Sequence, residues 1–137
     1  MAKRLFNSSM WSDAEFEDFD YDEKYFWFYL LTNSYNNICG ISRVGTITIA
    51  REMGTSKDHI ERMIDIFENK RNLIIRDKET NEFLIKNWRF YFWTTSEDLK
   101  SSILKQLNDV RSEKFKRFIL TEVDKIEWVP NLKNKKE

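Results

Sequence analysis

The chain has 137 residues, and its 23 lysines and arginines balance 23 aspartates and glutamates, so the formal net charge at pH 7 is zero. This length fits one domain with a core of its own, an aromatic content of 15% argues against a disordered chain, and no apolar run approaches the roughly 18 residues of a membrane span. A single cysteine, Cys39, excludes an internal disulfide, and the absence of a signal-peptide pattern predicts a cytoplasmic protein.

The charge is unevenly distributed. Residues 1–44 carry four basic and seven acidic side chains (net −3), residues 45–93 carry nine and eight (+1), and residues 94–137 carry ten and eight (+2). A DNA-binding face usually shows as excess positive charge. Any such face in this chain is therefore expected to be small and to depend on a few cations.

Residues 1–21 are predicted to form an acidic and aromatic arm. The carboxylates from Asp13 to Glu23 lack the spacing of a calcium-binding loop, which favours a packed or solvated arm over a metal site. Phe16 and Phe19 interleave with these acids, and we interpret them as anchors that pin the arm onto a neighbouring surface.

The segment from Asp22 to Leu31 is the first strong element. Its seven consecutive apolar or aromatic residues, 25–31, are compatible with a buried strand as well as with a helix. A helix is favoured because Asp20 or Asp22 can cap its N-terminus. Since this helix is apolar on most sides, we expect it at the centre of the domain or in a subunit contact.

A helix-turn-helix pattern follows a short strand predicted at 38–41. Residues 45–54 are typical of a short helix that ends at a glycine. The pair Thr55 and Ser56 then offers a cap for an amphipathic helix that runs to about Lys70. The buried stripe of this helix is predicted to be Ile60, Met63, Ile64 and Phe67.

A hairpin and two further helices complete the chain. The β-rich runs 73–77 and 82–88 flank a turn-forming tetrapeptide, and the aromatic stretch 87–93 leads out of the hairpin. Two amphipathic helices are predicted within residues 94–128. Residues 129–137 are expected to be a solvated basic tail.

This order of elements predicts a mainly α fold with a small β-hairpin (α+β): a winged helix-turn-helix over residues 22–93, followed by two C-terminal helices. In such a fold three helices bury a small core and the hairpin covers its open side. The third helix and the hairpin loop are then exposed on one surface, which fits a DNA duplex with the helix in the major groove.

Several segments resemble the N-terminal domain of phage replisome organisers, the replication initiators related to DnaD-like primosomal proteins. The segments are Met10–Asp13, Lys24–Asn33, Ile38–Ile41, Ile49–Gly54 and Glu82–Trp88. The resemblance covers about residues 5–93 and lies in their order and spacing. It implies a winged-helix domain that oligomerises and binds double-stranded origin DNA, with helicase-loading proteins as possible partners. Residues 94–137 are too few for the second domain of that family, so the chain is expected to be a fragment or a short form.

The predicted DNA-binding residues lie at the end of the second helix, on the third helix and its N-terminal turn, and around the wing. Arg62 and Asn69 project outward with base-reading chemistry, and the others are candidate phosphate contacts. The set is Arg51, Thr55, Ser56, Lys57, Arg62, Asn69, Arg76, Lys78 and Lys86. Asp58 and Asp65 share the outward side, which equally fits a solvated or protein-contacting face.

The aromatic content predicts self-association as a dimer or higher oligomer, because two aromatic clusters exceed what one small core hides. The predicted interface residues are Phe16, Phe19, Tyr25, Phe28, Tyr29, Phe90, Phe92 and Trp93. The segment 88–93 has an alternative role as a stacking platform for single-stranded nucleic acid.

Enzymatic chemistry is not expected, since the sequence shows no nucleophile–base pair, no metal-ligand set and no cofactor motif. His59, the only histidine, is interpreted as a residue at the edge of the core and Cys39 as a small buried hydrophobe. Two alternatives to a replication initiator remain open. One is a winged-helix transcription regulator that dimerises through its C-terminal helices, and the other is a protein-interaction module that does not bind DNA.

Overall fold

A computed structural model describes residues 4–6 and 8–130. After a 3-10 turn at Ser8–Ser12 come the helices α1 (Ala14–Glu17), α2 (Tyr21–Thr32), α3 (Thr46–Met53), α4 (Lys57–Asp65), α5 (Trp88–Phe92), α6 (Glu97–Leu107) and α7 (Glu113–Asp124). The strands are β1 (Ile41–Arg43), β2 (Ile74–Asp77) and β3 (Glu82–Ile85). The predicted mainly α fold with a small β-hairpin is confirmed. Among the described residues, none of the helices is both long enough and apolar enough to span a bilayer.

The central helix α2 is fixed at its start by a capping box. The Asp20 side chain accepts the Glu23 N–H at 2.9 Å, and the Glu23 side chain accepts the Asp20 N–H at 3.2 Å. Two orphan N–H groups at the helix start are thereby satisfied. The side chains of α2 that are buried in the main core are Phe26, Trp27, Leu30 and Leu31, so the helix interpretation of this apolar run is confirmed.

The helix-turn-helix forms as predicted. Gly54 ends α3 with φ 76°, a left-handed conformation that favours glycine, and the Thr55 N–H closes the turn on the Ala50 carbonyl at 2.9 Å. Ser56 caps α4 by accepting the His59 N–H at 3.1 Å. The helical path continues to Lys70 as a wider π-helical turn, Ile66–Lys70.

The three strands form an antiparallel sheet in the order β1-β3-β2. Asp77 pairs with Glu82 across the predicted four-residue loop of the hairpin. The first strand begins at Ile41 rather than at residue 38, because the Asn37 side chain accepts the Cys39 and Ile41 N–H groups and holds the preceding residues in a turn. Strand β1 pairs with β3 and so adds a third strand to the hairpin, which completes the winged helix.

The sheet is covered on both faces. Ile74, Phe83 and Ile85 belong to the core formed with α2, α3 and α4, whereas Ile41 and Leu84 belong to a second core formed with α6 and α7. All four residues of β3 are buried, as expected for a strand covered from both sides. The two C-terminal helices therefore complete the domain, and their apolar stripes are used within the chain.

The N-terminal arm packs against this chain's own core. Phe16 and Phe19 are 3% and 5% exposed; Phe19 contacts the rings of Phe67 and Trp27, and Phe16 packs against Phe19. Arg71 ties the arm down, with its guanidinium 2.6 Å from both the Asp18 and the Glu23 carboxylates. The prediction that Phe16 and Phe19 lie in a subunit interface is therefore wrong, since neither ring is accessible to a second copy.

The predicted basic tail lies mostly outside the described residues, which end at Pro130. Val129, placed in that tail by the sequence, instead pairs with the start of α6. Its N–H donates to the Thr95 carbonyl, and its own carbonyl accepts the Glu97 N–H.

Candidate nucleic-acid interface

The candidate interface is the exposed side of α4 together with the hairpin loop. Ile60, Met63 and Ile64 point into the core, which leaves Lys57, Asp58, Arg62 and Asp65 exposed. This arrangement is the one predicted from the helical period. The helix therefore presents two cations and two carboxylates to solvent.

A partly exposed ion pair links the hairpin to α4. The Arg76 guanidinium donates to both Glu61 carboxylate oxygens, at 3.0 and 3.2 Å, and only 13% of its side chain is exposed. Its bonds to Glu61 hold the pKa of that carboxyl below the usual range. The Glu68 side chain also accepts the Arg76 N–H at 2.8 Å. Arg76 therefore acts as a brace for the wing, and its guanidinium is not free to contact phosphate.

Three other predicted contacts are also engaged within the chain. Asn69 donates to the Asp65 carboxylate at 2.6 Å, and Lys86 donates to the Asn72 side chain. The Ser56 hydroxyl accepts the His59 N–H as the cap of α4. These hydrogen bonds lie at the surface, where replacing one by a hydrogen bond to a ligand costs little free energy. Each bond that must be broken nevertheless reduces the free energy gained on binding.

The Thr55 backbone does not serve as the anion site expected from the sequence. Its N–H donates to Ala50, so it is not available to a phosphate. The Thr55 side chain is exposed.

The exposed cations at this surface are Arg51, Lys57, Arg62 and Lys78. Arg62 donates to His59 Nδ1 at 3.1 Å, so the histidine orients the arginine from the edge of the core. Arg51 neighbours Glu52, whose carboxylate accepts the Tyr29 and Tyr35 hydroxyls, and these bonds hold the pKa of Glu52 below its ordinary value. The acid thus remains charged next to Arg51 and weakens the positive field there.

The hairpin loop is internally organised. Asp77 accepts the N–H groups of Glu79 and Thr80 at 3.0 and 3.3 Å, and Asn81 adopts a left-handed conformation with φ 60°. Lys78 is exposed at this tip. A rigid loop of this kind positions its lysine with little loss of backbone entropy on binding.

One exposed residue beside this surface was not singled out from the sequence. Ile47, on α3, is 64% exposed, whereas Ile49 is fully buried. Both isoleucines are β-branched and apolar, and only their positions in the helical period separate the exposed one from the buried one. An exposed isoleucine at the start of α3 supplies apolar contact for a ligand, such as a thymine methyl group.

The predicted aromatic interface divides into exposed and partly covered residues. Tyr25, Phe28 and Phe90 are 49%, 43% and 70% exposed. Tyr29, Phe92 and Trp93 pack against the main core while remaining partly accessible. Trp88 is buried, and its indole N–H donates to the Ile38 carbonyl at 2.9 Å, so this ring is not a platform on which a nucleobase could stack.

Cys39 is a structural residue of the second core. Its side chain is fully buried, and burial raises the pKa of its thiol to about 12. We expect no reaction with iodoacetamide at pH 8 while the protein is folded, because the thiolate is scarce and inaccessible. Mass spectrometry in increasing urea checks this: alkylation should follow the unfolding transition, and modification in the absence of urea would contradict it.

The described residues contain no group of three or more histidine, cysteine or acidic side chains placed to hold a metal ion. No protein-family model, curated protein or solved structure matches the chain, so the function has to be inferred from the arrangement of its own residues.

Proposed function

We propose that the chain is a DNA-binding and self-associating winged-helix domain of a phage or prophage replication initiation protein. The observation that carries the DNA-binding proposal is the exposed α4, which presents Lys57 and Arg62 to solvent and is braced to the wing through Glu61 and Arg76. An exposed helix beside a hairpin suits a DNA duplex, with α4 in the major groove and Lys78 near the DNA backbone. The replication role is supported by the resemblance to replisome organisers.

The charges limit the strength of this binding. Four exposed cations, Arg51, Lys57, Arg62 and Lys78, lie on α3, α4 and the hairpin loop. Each phosphate neutralised contributes about −0.9 to the slope of log K against log salt, so one copy is expected to show a slope no steeper than about −4. Asp58 and Asp65 weaken the contact further. High affinity for an origin then requires several copies bound side by side.

The test is a titration of a fluorescent duplex followed by anisotropy at low and moderate salt. Affinity should fall steeply as salt increases, and the double variant Lys57→Ala/Arg62→Ala should bind about tenfold more weakly or worse. A matched control is Lys105→Ala/Arg117→Ala, which removes two exposed cations from α6 and α7. Unchanged affinity in the double variant would show that DNA binds to a surface other than α4.

A protein-interaction module is the second candidate, and the carboxylates of Asp58 and Asp65 on the outward side of α4 favour it. The same titration separates the two functions. Absence of duplex binding even at low salt would reject the DNA-binding proposal. If the domain does bind, footprinting separates an initiator, which protects an array of origin repeats, from a transcription regulator, which protects a promoter operator.

The self-association proposal is supported by exposed aromatic residues outside the two cores. Tyr25, Phe28 and Phe90 lie on α2 and α5 with a large part of each ring accessible. Large exposed apolar side chains grouped on one surface mark interaction sites. Sedimentation velocity at tens to hundreds of micromolar is the direct measurement, and a monomer throughout would reject self-association while leaving DNA binding to its own test.

A further inference from the structure

Residues 4–6 cross an open channel on the surface of the molecule. A groove of about 510 Å³ has Arg4 in its wall, and a second groove of about 470 Å³ has Phe6 in its wall. Both grooves are also lined by Leu5, Tyr91 and Phe92. We call residues 4–6 the strap and the two grooves together the channel, which runs along α5 and is divided by the strap at Leu5.

The first side chain of the strap is held by a site for a guanidinium group. Arg4 donates to the carbonyls of Asn33 and Asn36, at 3.3 and 3.2 Å, and its guanidinium lies 5.6 Å from the centroid of the Trp88 ring. Asn33 is the C-cap of α2, and the dipole of a helix attracts a cation at this end. Hydrogen bonds, the helix dipole and a cation–π contact therefore all favour an arginine here.

The last side chain of the strap is held by a site for an aromatic ring. Phe6 stacks on Phe28 with 5.9 Å between ring centroids, and it meets Phe92 edge to face at 5.5 Å. Aromatic pairs with these geometries attract each other beyond the area that they bury. The channel therefore fits a segment of the type Arg-x-Phe. The strap is the only segment of this type in the 137 residues.

The strap is attached to the domain only by these side-chain contacts, as far as the described residues show. It forms no backbone–backbone hydrogen bond with another described residue. None of its residues belongs to either core. The strap can therefore leave its channel without breaking a helix, a strand or a core contact.

The middle residue of the strap is not used within one copy. Leu5 stands between the two anchored side chains but is 92% exposed. Phe90, in the wall of the second groove, is 70% exposed. A second copy brought to this surface would cover both side chains, and burial of apolar surface favours association.

We propose that two copies of this chain associate by exchanging their straps, so that Arg4 and Phe6 of each copy occupy the channel of the other. This inference rests on the proposed self-association and is independent of DNA binding. Exchange of an identical segment reuses contacts that each copy already forms, because Arg4 meets the same carbonyls and the same indole in either copy. Reciprocal exchange closes with two copies, so the product is a dimer that carries two winged helices.

Concentration decides between the closed monomer and the exchanged dimer. Within one copy the strap is tethered beside its own channel, and this high effective concentration favours the monomer in dilute solution. The additional burial of Leu5 and Phe90 between copies favours exchange as the protein concentration rises. The dimer is therefore expected at tens to hundreds of micromolar.

Sedimentation velocity on a variant without the two anchors is the first test. We call Arg4→Ala/Phe6→Ala the strap variant, and its self-association should be weakened about tenfold or more, since both anchored contacts are lost. The matched control is Tyr21→Ala/Arg117→Ala. It removes one exposed ring and one exposed cation that line neither groove, and it should associate like the unmodified chain. Circular dichroism checks that both variants fold.

A peptide with the sequence of residues 1–8 is the second test, because it supplies the strap from outside. The indole N–H groups of Trp88 and Trp93 both donate to the Ile38 carbonyl beside the channel, so their NMR signals report on its occupation. Titration with the peptide up to millimolar concentration should shift these signals in the strap variant. The unmodified chain, whose own strap competes, should require about tenfold more peptide or show no shift. A peptide with alanine in place of Arg4 and Phe6 is the control and should have no effect.

Two outcomes would overturn the exchange. A strap variant that still self-associates like the unmodified chain would show that copies meet through another surface. A peptide that affects the strap variant and the unmodified chain equally, or neither of them, would show that the channel does not accept the segment from outside. A chain that is monomeric under all conditions would reject self-association as a whole, whereas the anisotropy titration reports separately on DNA binding.

Discussion

Replacing Gly40 with alanine is expected to cost about 2–5 kcal/mol of unfolding free energy, a large part of the stability of a domain of this size. Gly40 has φ 79°, a conformation that costs about 1–2 kcal/mol for an L-residue. An added Cβ would also lie 2.6 Å from Trp88 Cβ and closer still to Cγ. Trp88 is 3% exposed, so relieving this overlap must displace a packed indole, at about 1–3 kcal/mol.

Gly54→Ala is the matched control. Gly54 has nearly the same backbone conformation, with φ 76°, but a Cβ there meets nothing within 4 Å. Its cost should be only the backbone strain of about 1–2 kcal/mol. Urea denaturation of both variants gives the comparison. Equal losses would mean that Trp88 does not constrain Gly40 and that the overlap is absorbed without cost.

The two glycines differ in how well the local sequence predicts their surroundings. The turn at Gly54 was predictable because a glycine after an amphipathic run is a local feature. The tight contact at Gly40 was not, since residues 48 positions apart in the chain create it. Strand β1 was placed too early for a different reason: local side-chain bonds of Asn37, which an apolar pattern does not reveal, decide where the extended chain begins.

The elements of the candidate site were largely predictable, but the state of its side chains was not. Helical spacing correctly placed Arg62 outward and Ile60 inward. It gave no sign that Arg76 would be held by Glu61, because ion-pair partners on different elements are fixed only by tertiary packing. Phe16 and Phe19 were misplaced for a related reason: an aromatic residue among acids fits an interface and a core edge equally well.

The position of the C-terminal helices also depends on tertiary contacts. Their apolar stripes predicted amphipathic helices, yet a second subunit could have covered those stripes. In the structure they cover the outer face of the sheet. A buried acid on β3, Glu82, links the sheet to the start of α7.

Glu82→Ala is expected to lower the unfolding free energy by about 3–5 kcal/mol. Glu82 is 1% exposed, and its two carboxylate oxygens accept the N–H groups of Ser112 at 2.7 Å and Arg111 at 3.1 Å. These N–H groups stand at the start of α7, where the helix has no acceptors of its own and its dipole favours an anion. Alanine leaves the buried Ser112 N–H and the partly buried Arg111 N–H unpaired, and removing one partner of a buried charged interaction typically costs this much.

Glu82→Gln tests how much of the effect depends on the charge of the carboxylate. Glu79→Ala is the control for loss of an acidic residue at the surface. Glutamine keeps one acceptor but faces the second N–H with its own amide donor, so about 1.5–3 kcal/mol should be lost. Glu79 is exposed in the hairpin loop, and its replacement should change stability by no more than about 0.5 kcal/mol. The urea midpoints of the three variants should therefore fall in the order Glu79→Ala, Glu82→Gln, Glu82→Ala. A Glu82→Ala variant as stable as Glu79→Ala would show that the N-terminus of α7 is held by the apolar contacts of Phe115 and Ile119 and does not need the carboxylate.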